Sequence, residues 1–304
     1  MIGTARKRRG LKSGIVPLIY VAPACLFMIV FIIVPIVYSI VMSFYYIPGL
    51  GTEWKFVSFA NFRYILKEKD MIAAFGRTLG FGAFSMGTTL VLGLLLAFLV
   101  AGSRRLHFYR YVFYIPGVVS SITMSMIWGQ ILSPTEFGLL NRVLLDAKVL
   151  DAPFPWLNSE KFTWMIVLGI GLIGCGGGMT LIIFTTAIND VSAEIKESAI
   201  LEGAGPWVLN TRIVLPLIRP QLVSWSVLSI IGSLKSFESI YALTRGGPND
   251  TTTTLAILLF ANNKQGIYGY GYSSALGLFM SAIVLAFVGA FNYINKLRDK
   301  REES

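Results

Sequence analysis

Residues 78–103 read TLGFGAFSMGTTLVLGLLLAFLVAGS, bounded by Arg77 and Arg104, without one charged side chain. An α-helix crosses the hydrocarbon of a bilayer with roughly 20 apolar residues, so this stretch has the length and chemistry of a membrane span. Similar charge-free intervals lie between Lys12 and Glu53, Arg110 and Glu136, Lys161 and Asp190, and Lys264 and Lys296. The interval after Arg219 is interrupted by Lys235, but its apolar character continues to Thr244. Charged residues make up 14% of the chain and the mean hydropathy is +0.67. A soluble domain carries about 25% charged residues to solvate its surface. The pattern predicts an all-α polytopic membrane helix bundle of six spans, near 15–44, 76–100, 109–132, 162–187, 217–243 and 273–295, forming one domain over residues 1–304.

The formal net charge of +10 does not point to nucleic acid. The basic residues sit at segment ends, where lipid headgroups are, and no basic module interleaved with aromatics is present. Cys25 and Cys175 both fall in apolar spans, where the side chain acts as a small apolar group; a disulfide framework is not indicated. Arg6-Lys7-Arg8-Arg9 followed by an apolar run, with Ala22-Pro23-Ala24-Cys25 inside it, has the look of a cleaved leader. The charge-free run continues to Thr52, well past Cys25, so a retained first span is expected. Pro17, Pro23 and Pro35 each remove a helix hydrogen bond there, and a kink follows.

Lys and Arg concentrate on cytoplasmic loops. With the N-terminus inside, the inner segments hold Arg6 to Lys12, Arg104, Arg105, Arg110, Lys196, Arg212, Arg219, and Lys296 to Arg301, and the outer segments hold fewer. The expectation is a multi-pass protein of a prokaryotic cell membrane with both termini cytoplasmic. Residues 137–146 have the pattern of a short interfacial helix on the outer side, and Trp54, Trp156 and Trp164 suit interfacial anchoring.

Between the fourth and fifth spans the chain reads DVSAEIKESAILEGAGPWVLNTRIVLP over residues 190–216. Asp190 or Ser192 can cap a helix start, and Glu194 and Glu197 favour its positive end. Gly203 and Gly205 allow the chain to leave helical geometry, and Pro206 suits the first turn of a second helix. Helix, break, helix is therefore predicted, either docking a partner or lying on lipid. Here a resemblance enters. Glu197-Ser198-Ala199, Gly203, and Ile213-x-Leu215-Pro216 resemble the signature loop of the permease subunits of ATP-binding-cassette importers, with Ser198 and Glu202 as mild departures. Leu243-Thr244-Arg245-Gly246-Gly247-Pro248, the run from Tyr109 to Pro116, Trp128, Gly138-Leu139-Leu140-Asn141, and Pro35, Ser39, Ser43 and Phe44 resemble elements of the carbohydrate, maltose-type branch of that family.

The resemblance implies a sugar or oligosaccharide permease that works by alternating access. It implies a second homologous permease, two ATPase subunits or an ATPase homodimer, an extracellular solute-binding protein, and surrounding membrane lipid as partners. Glu197, Ala199, Gly203, Gly205 and Pro216 are the implied ATPase-coupling positions. The chain has no phosphate-binding loop of the G-x-x-x-x-G-K-[ST] type, so ATP and magnesium are expected on a separate ATPase subunit and no cofactor or metal on this chain. No catalytic cluster is visible, and the lone His107 sits among Arg104, Arg105 and Arg110 as a solvated or lipid-facing group.

Two features at membrane depth bear on a substrate path. Lys235 and Glu238 are three residues apart and share a helix face; they either neutralise each other or line a polar pathway. The resemblance assigns Ser233, Lys235, Ser236, Phe237 and Glu238 to the sugar path. The fourth span contains Gly174-Cys175-Gly176-Gly177-Gly178-Met179. These small residues either permit close helix approach or widen a cavity, the second reading placing Cys175, Gly176 and Met179 on the pathway of a larger substrate. Glycerol-phosphate import is a related alternative. An ion-coupled transporter is a further one, although no internal repeat is evident.

Overall fold

The computed structural model describes residues 12–49, 51–174, 177–234, 236–265 and 269–302. Leading the chain is α1 (Lys12–Met28), which passes through a π-helical turn, Ile29–Ile33, into α2 (Val34–Met42). A two-residue hairpin pairs β1 (Tyr45–Tyr46) antiparallel with β2 (Lys55–Phe56), and α3 (Ala60–Lys67) and α4 (Lys69–Val100) follow. The third stretch is α5 (Leu106–Val118) and α6 (Ser121–Ile131), then the short α7 (Leu139–Asp146). Next come α8 (Glu160–Gly174), α9 (Gly177–Asp190) and α10 (Ala193–Leu201). A second π-helical turn, Leu209–Val214, separates α11 (Pro206–Val208) from α12 (Leu215–Leu217). The chain continues with α13 (Arg219–Leu234), α14 (Glu238–Thr244), α15 (Leu255–Gln265) and α16 (Gly269–Glu302).

Among the described residues, three helical stretches, Tyr20–Met42, Lys69–Val100 and Gly269–Arg298, are long and apolar enough to cross a bilayer unbroken. Two others pass only as bent pairs: α5 with α6, bent by 86°, and Pro206–Leu217 with Arg219–Ser233, bent by 71°. The charge pattern carries no sign of these breaks. It ran the third span unbroken over 109–132, whereas the helix stops at Val119 and restarts at Ser121. It ran the fifth over 217–243, whereas α13 ends at Leu234 and α14 starts at Glu238. It also left α15 in a loop. Prolines explain the π-helical turns. Pro35 and Pro216 lack the N–H that an α-helix needs and crowd the preceding turn, and the backbone upstream widens: Val34 N–H reaches Ile29 O and Leu215 N–H reaches Asn210 O.

The described residues up to Leu66, together with Asn262–Phe279, form one unit. A buried amide holds it together: Asn61 Nδ2 donates to Ser43 O at 2.8 Å and Tyr45 O at 3.0 Å. Trp54 packs edge-on against both Tyr38 and Tyr45. Gly269 has a φ of +77°, and a Cβ there would lie 2.5 Å from Ile47 O; glycine alone fits.

Lys67–Ala261 and the described residues from Met280 form the second unit. Its core is built on α4, which packs against α9 and α13, while α5 crosses α9 and α6 packs on α14. Phe184 and Leu181 are fully buried among Ala97, Ala187, Ile188, Val214 and Ile218. The crossings are close because small residues lie in them. A Cβ on Gly93 would fall 2.3 Å from Thr180 Cγ2, and one on Gly178 would fall 2.4 Å from Phe113 O on α5. Gly178 thus uses the glycine run for close helix approach. Buried hydroxyls bond back to their own helices, Thr78 to Ala74 O at 2.7 Å and Thr185 to Leu181 O at 2.7 Å, so they need no water.

The motif Gly138-x-x-Asn141 organises a second buried amide. Asn141 Nδ2 donates to Ser133 O, Thr135 O and Phe154 O, and its Oδ1 accepts from Phe154 N–H and from Trp156 Nε1 at 2.8 Å. Trp156 is thereby fixed to α7. Replacing Asn141 by Leu strands these donors and carbonyls at about 1–3 kcal/mol per buried group. We expect N141L to lower the midpoint of thermal unfolding of the detergent-solubilised protein by several degrees, with Phe137→Ser, at an exposed neighbour, moving it little.

Candidate functional site

Two features stand apart from simple helix packing: the segment between α9 and α13, and a cavity where helices are broken. In the first, Ser192 caps α10, its hydroxyl accepting from Ile195 N–H at 3.3 Å. The helix ends where Gly203 takes a φ of +90°. Gly203 N–H bonds Ile200 O at 3.0 Å and Ala204 N–H bonds Ala199 O at 2.9 Å, closing the last turn as glycine-terminated helices do. Gly205 is the N-cap of α11, with Pro206 at its first position. Pro216 lies in α12, just after the π-helical turn. Ala199 is buried, Glu197 is exposed, and α10 packs against the π-helical segment.

Lys196 ties this segment to the preceding helix, its Nζ donating to Ile188 O at 2.7 Å near the end of α9. Burial lowers the pKa of this ammonium below the ordinary lysine value, and the neighbouring Asp190 opposes that shift. The sign follows: charged Lys196 costs the fold some stability at neutral pH, and that cost fades as pH rises through the lowered value. The outer face of the segment is apolar and uncovered, with Leu201 89% and Trp207 74% exposed. Glu194, Glu197 and Glu202 of the same segment are exposed as well.

The cavity has a volume of about 490 Å³ and lies within the second unit, where α6 and α14 begin. Pro116 and Gly117 precede one break, and Ser236 and Phe237 lie in the other, just ahead of α14. Phe81 of α4 and Val167, Ile170 and Gly171 of α8 close the remaining walls. Across it, Ser121 Oγ donates to Glu238 Oε2 at 3.0 Å, joining the first residues of α6 and α14. Ser236 and Ser239 hydroxyls lie 3.1 Å apart. Phe237 stacks on Tyr241, with ring centroids 5.0 Å apart, and packs at 4.8 Å against Phe260. The lining thus combines the aromatic rings of Phe81 and Phe237 and several aliphatic side chains with hydroxyl and carboxylate groups. An apolar wall with a few convergent polar groups is the usual form of a small-molecule site.

Of the positions read from sequence as pathway, Ser236, Phe237 and Glu238 line this cavity. Ser233 does not: it is buried, and its hydroxyl turns back to Ile230 O at 3.0 Å. Met179 does not either, pointing outward from α9 at 46% exposure. Cys175, Gly176 and Lys235 lie outside the described residues. The fourth stretch contributes through α8 instead, two turns earlier. Sequence reading passed over Ser121, Met124 and Ser125, which also line the cavity. A signal was present: a proline followed by a serine pair inside an apolar run marks a point where a helix can break.

The chain as a whole is similar to known proteins. Residues 89–300 match the family model described as the binding-protein-dependent transport system inner membrane component. The chain is 29% identical over 285 residues to the diacetylchitobiose uptake system permease protein of Streptomyces coelicolor, covering 88% of this chain and 79% of that one. It is 28% identical over 271 residues to the multiple sugar-binding transport system permease protein of Streptococcus mutans, covering 84% and 90%. The fold matches a chain of the crystal structure of a bacterial ABC transporter involved in the import of the acidic polysaccharide alginate, with a TM-score of 0.81 and 21% identity over 94% of this chain and 96% of that one. With more than half its length matched by the family model, the chain belongs to the binding-protein-dependent transport system inner membrane components, the membrane-embedded permeases of ABC importers.

Proposed function

We propose that this chain is a permease subunit of an ATP-driven importer of sugars or oligosaccharides, and that the cavity between the starts of α6 and α14 belongs to the substrate path. The observation that carries this reading is the pairing of an aromatic wall, Phe237 backed by its stacking on Tyr241, with the hydroxyl and carboxylate groups of Ser121, Ser236 and Glu238. Sugars present both chemistries, apolar ring faces for aromatics and hydroxyls for polar groups. The relatives support it, since their names speak of diacetylchitobiose and multiple sugars. Glycerol-phosphate import is the weaker reading, because a phosphate would meet the Glu238 carboxylate.

The energy comes from outside the chain in this reading. A second permease completes the pathway, ATPase subunits carry ATP and magnesium, and an extracellular binding protein delivers substrate. The segment from Ser192 to Pro216 faces the cytoplasm, with both termini on that side as the Lys and Arg distribution favours. Leu201 and Trp207, uncovered in a segment with three exposed glutamates, are the surface that an ATPase groove covers. Glu197, Ala199, Gly203, Gly205 and Pro216 shape and hold that hook. Closure of the ATPases on ATP moves it, and α9 and α13, which it joins, carry the motion to the cavity by alternating access.

Gly203 is the sensitive point, because a β-branched residue at its φ of +90° is strained. The Gly203→Val protein is expected to reach the membrane but to lose the ATPase on affinity purification, and to drop transport by at least about tenfold. Undiminished co-purification and uptake would sink the coupling role. In the cavity, Phe237→Ala removes the aromatic wall. Labelled-sugar uptake should then need about ten times more substrate for half-saturation, a loss of about 1.4 kcal/mol, at unchanged membrane abundance.

A further inference from the structure

We propose that Glu238 makes the cavity select sugars that present hydrogen-bond donors, neutral or amino sugars, and reject sugars that carry carboxylates. The inference rests on the reading that this cavity lies on the sugar path. An ionised carboxylate accepts hydrogen bonds at about four lone-pair positions and donates none. Glu238 uses one of these on Ser121 Oγ, through Oε2, and its side chain is exposed to the cavity. The described lining holds no lysine, arginine or histidine. Its other polar side chains are the hydroxyls of Ser121, Ser125, Ser236 and Ser239, which serve either sign of partner.

The remaining acceptor positions of Glu238 therefore call for donors from the substrate. A pair of vicinal sugar hydroxyls supplies two, and an ammonium group supplies a charge-assisted bond, which is stronger. A uronate brings a second carboxylate into a cavity walled by Phe81, Phe237, Val167 and Ile170, where like charges are poorly screened. Position 121 contributes as well: the hydroxyl held by Glu238 orients the carboxylate toward the start of α6 and leaves Oε1 for the ligand.

The test is binding to the assembled transporter, embedded in nanodiscs of uncharged phospholipid, without binding protein. Four probes are titrated while the midpoint of thermal unfolding is followed: maltotriose, the deacetylated chitosan trimer, trigalacturonate and its methyl ester. Wild type should respond to maltotriose and the chitosan trimer, and to trigalacturonate only at concentrations at least tenfold higher. The methyl ester, which differs from trigalacturonate in charge, should bind like maltotriose. That comparison needs no variant. Glu238→Gln should bring trigalacturonate within about threefold of maltotriose and remove the advantage of the chitosan trimer, and Glu238→Asp should retain the discrimination. Equal binding of the acid and its ester by wild type overturns the proposal. So does a ranking that Lys235→Met changes and Glu238→Gln leaves alone. If none of the four sugars shifts any form, the sugar path itself is wrong, an outcome distinct from sugars binding without regard to charge.

Discussion

A backbone amide or carbonyl left unpaired in hydrocarbon costs several kcal/mol, and that cost governs where this chain is allowed to stop being a helix. Lipid tolerates only finished helices, so breaks within spans must be packed in protein or opened onto a cavity. The breaks at Val119–Ser120 and ahead of Glu238 obey this rule together. Both precede helices that pack on one another, and both border the same cavity. The side chains beside them, Ser121, Ser236 and Glu238, become the polar part of an otherwise aromatic and aliphatic wall. The site is thus where the membrane constraint is relaxed.

The same constraint explains how the bundle is cemented. Helices in lipid gain little from excluding water, so they rely on close contact and on internal hydrogen bonds. Gly93 and Gly178 let helix surfaces approach until no Cβ fits. Hydroxyls join helices where charges would be too costly: Trp225 Nε1 donates to Thr180 Oγ1 at 2.9 Å. The cation Arg110 sits at one end of α5 and bonds Thr185 and Thr186 rather than a carboxylate. At other turns a single buried amide replaces many weak contacts, Asn61 in the first unit and Asn141 in the second. Each serves two or more backbone groups at once.

The hook between α9 and α13 follows a different logic, that of a surface meant to be covered. The ends of its first helix are conventionally satisfied, by Ser192 at the start of α10 and by Gly203 just past its finish. Its crest is not satisfied in the same sense, because Leu201 and Trp207 stand uncovered. A rigid local frame carrying an uncovered apolar tip can transmit a push from a partner without unfolding. Lys196, bonded to the last turn of α9, makes that frame continuous with the bundle.

Composition and charge alone determined the all-helical class, because lipid forbids charge over about 20 residues. They also fixed the helix, break, helix of residues 190–216, since Ser192, Gly203 and Pro206 act through their own backbone geometry. The α5/α6 break was equally local, written in Pro116 and Ser120, yet hidden by the uniform apolarity around it. What no local signal contains is which side chains meet. Ser233 and Glu238 look alike as candidates in sequence, but one turns back to Ile230 O while the other reaches Ser121, a partner 117 positions away. Glu238 reaches it only because α6 and α14 pack side by side, an arrangement set by the close crossings of the bundle rather than by any stretch of chain.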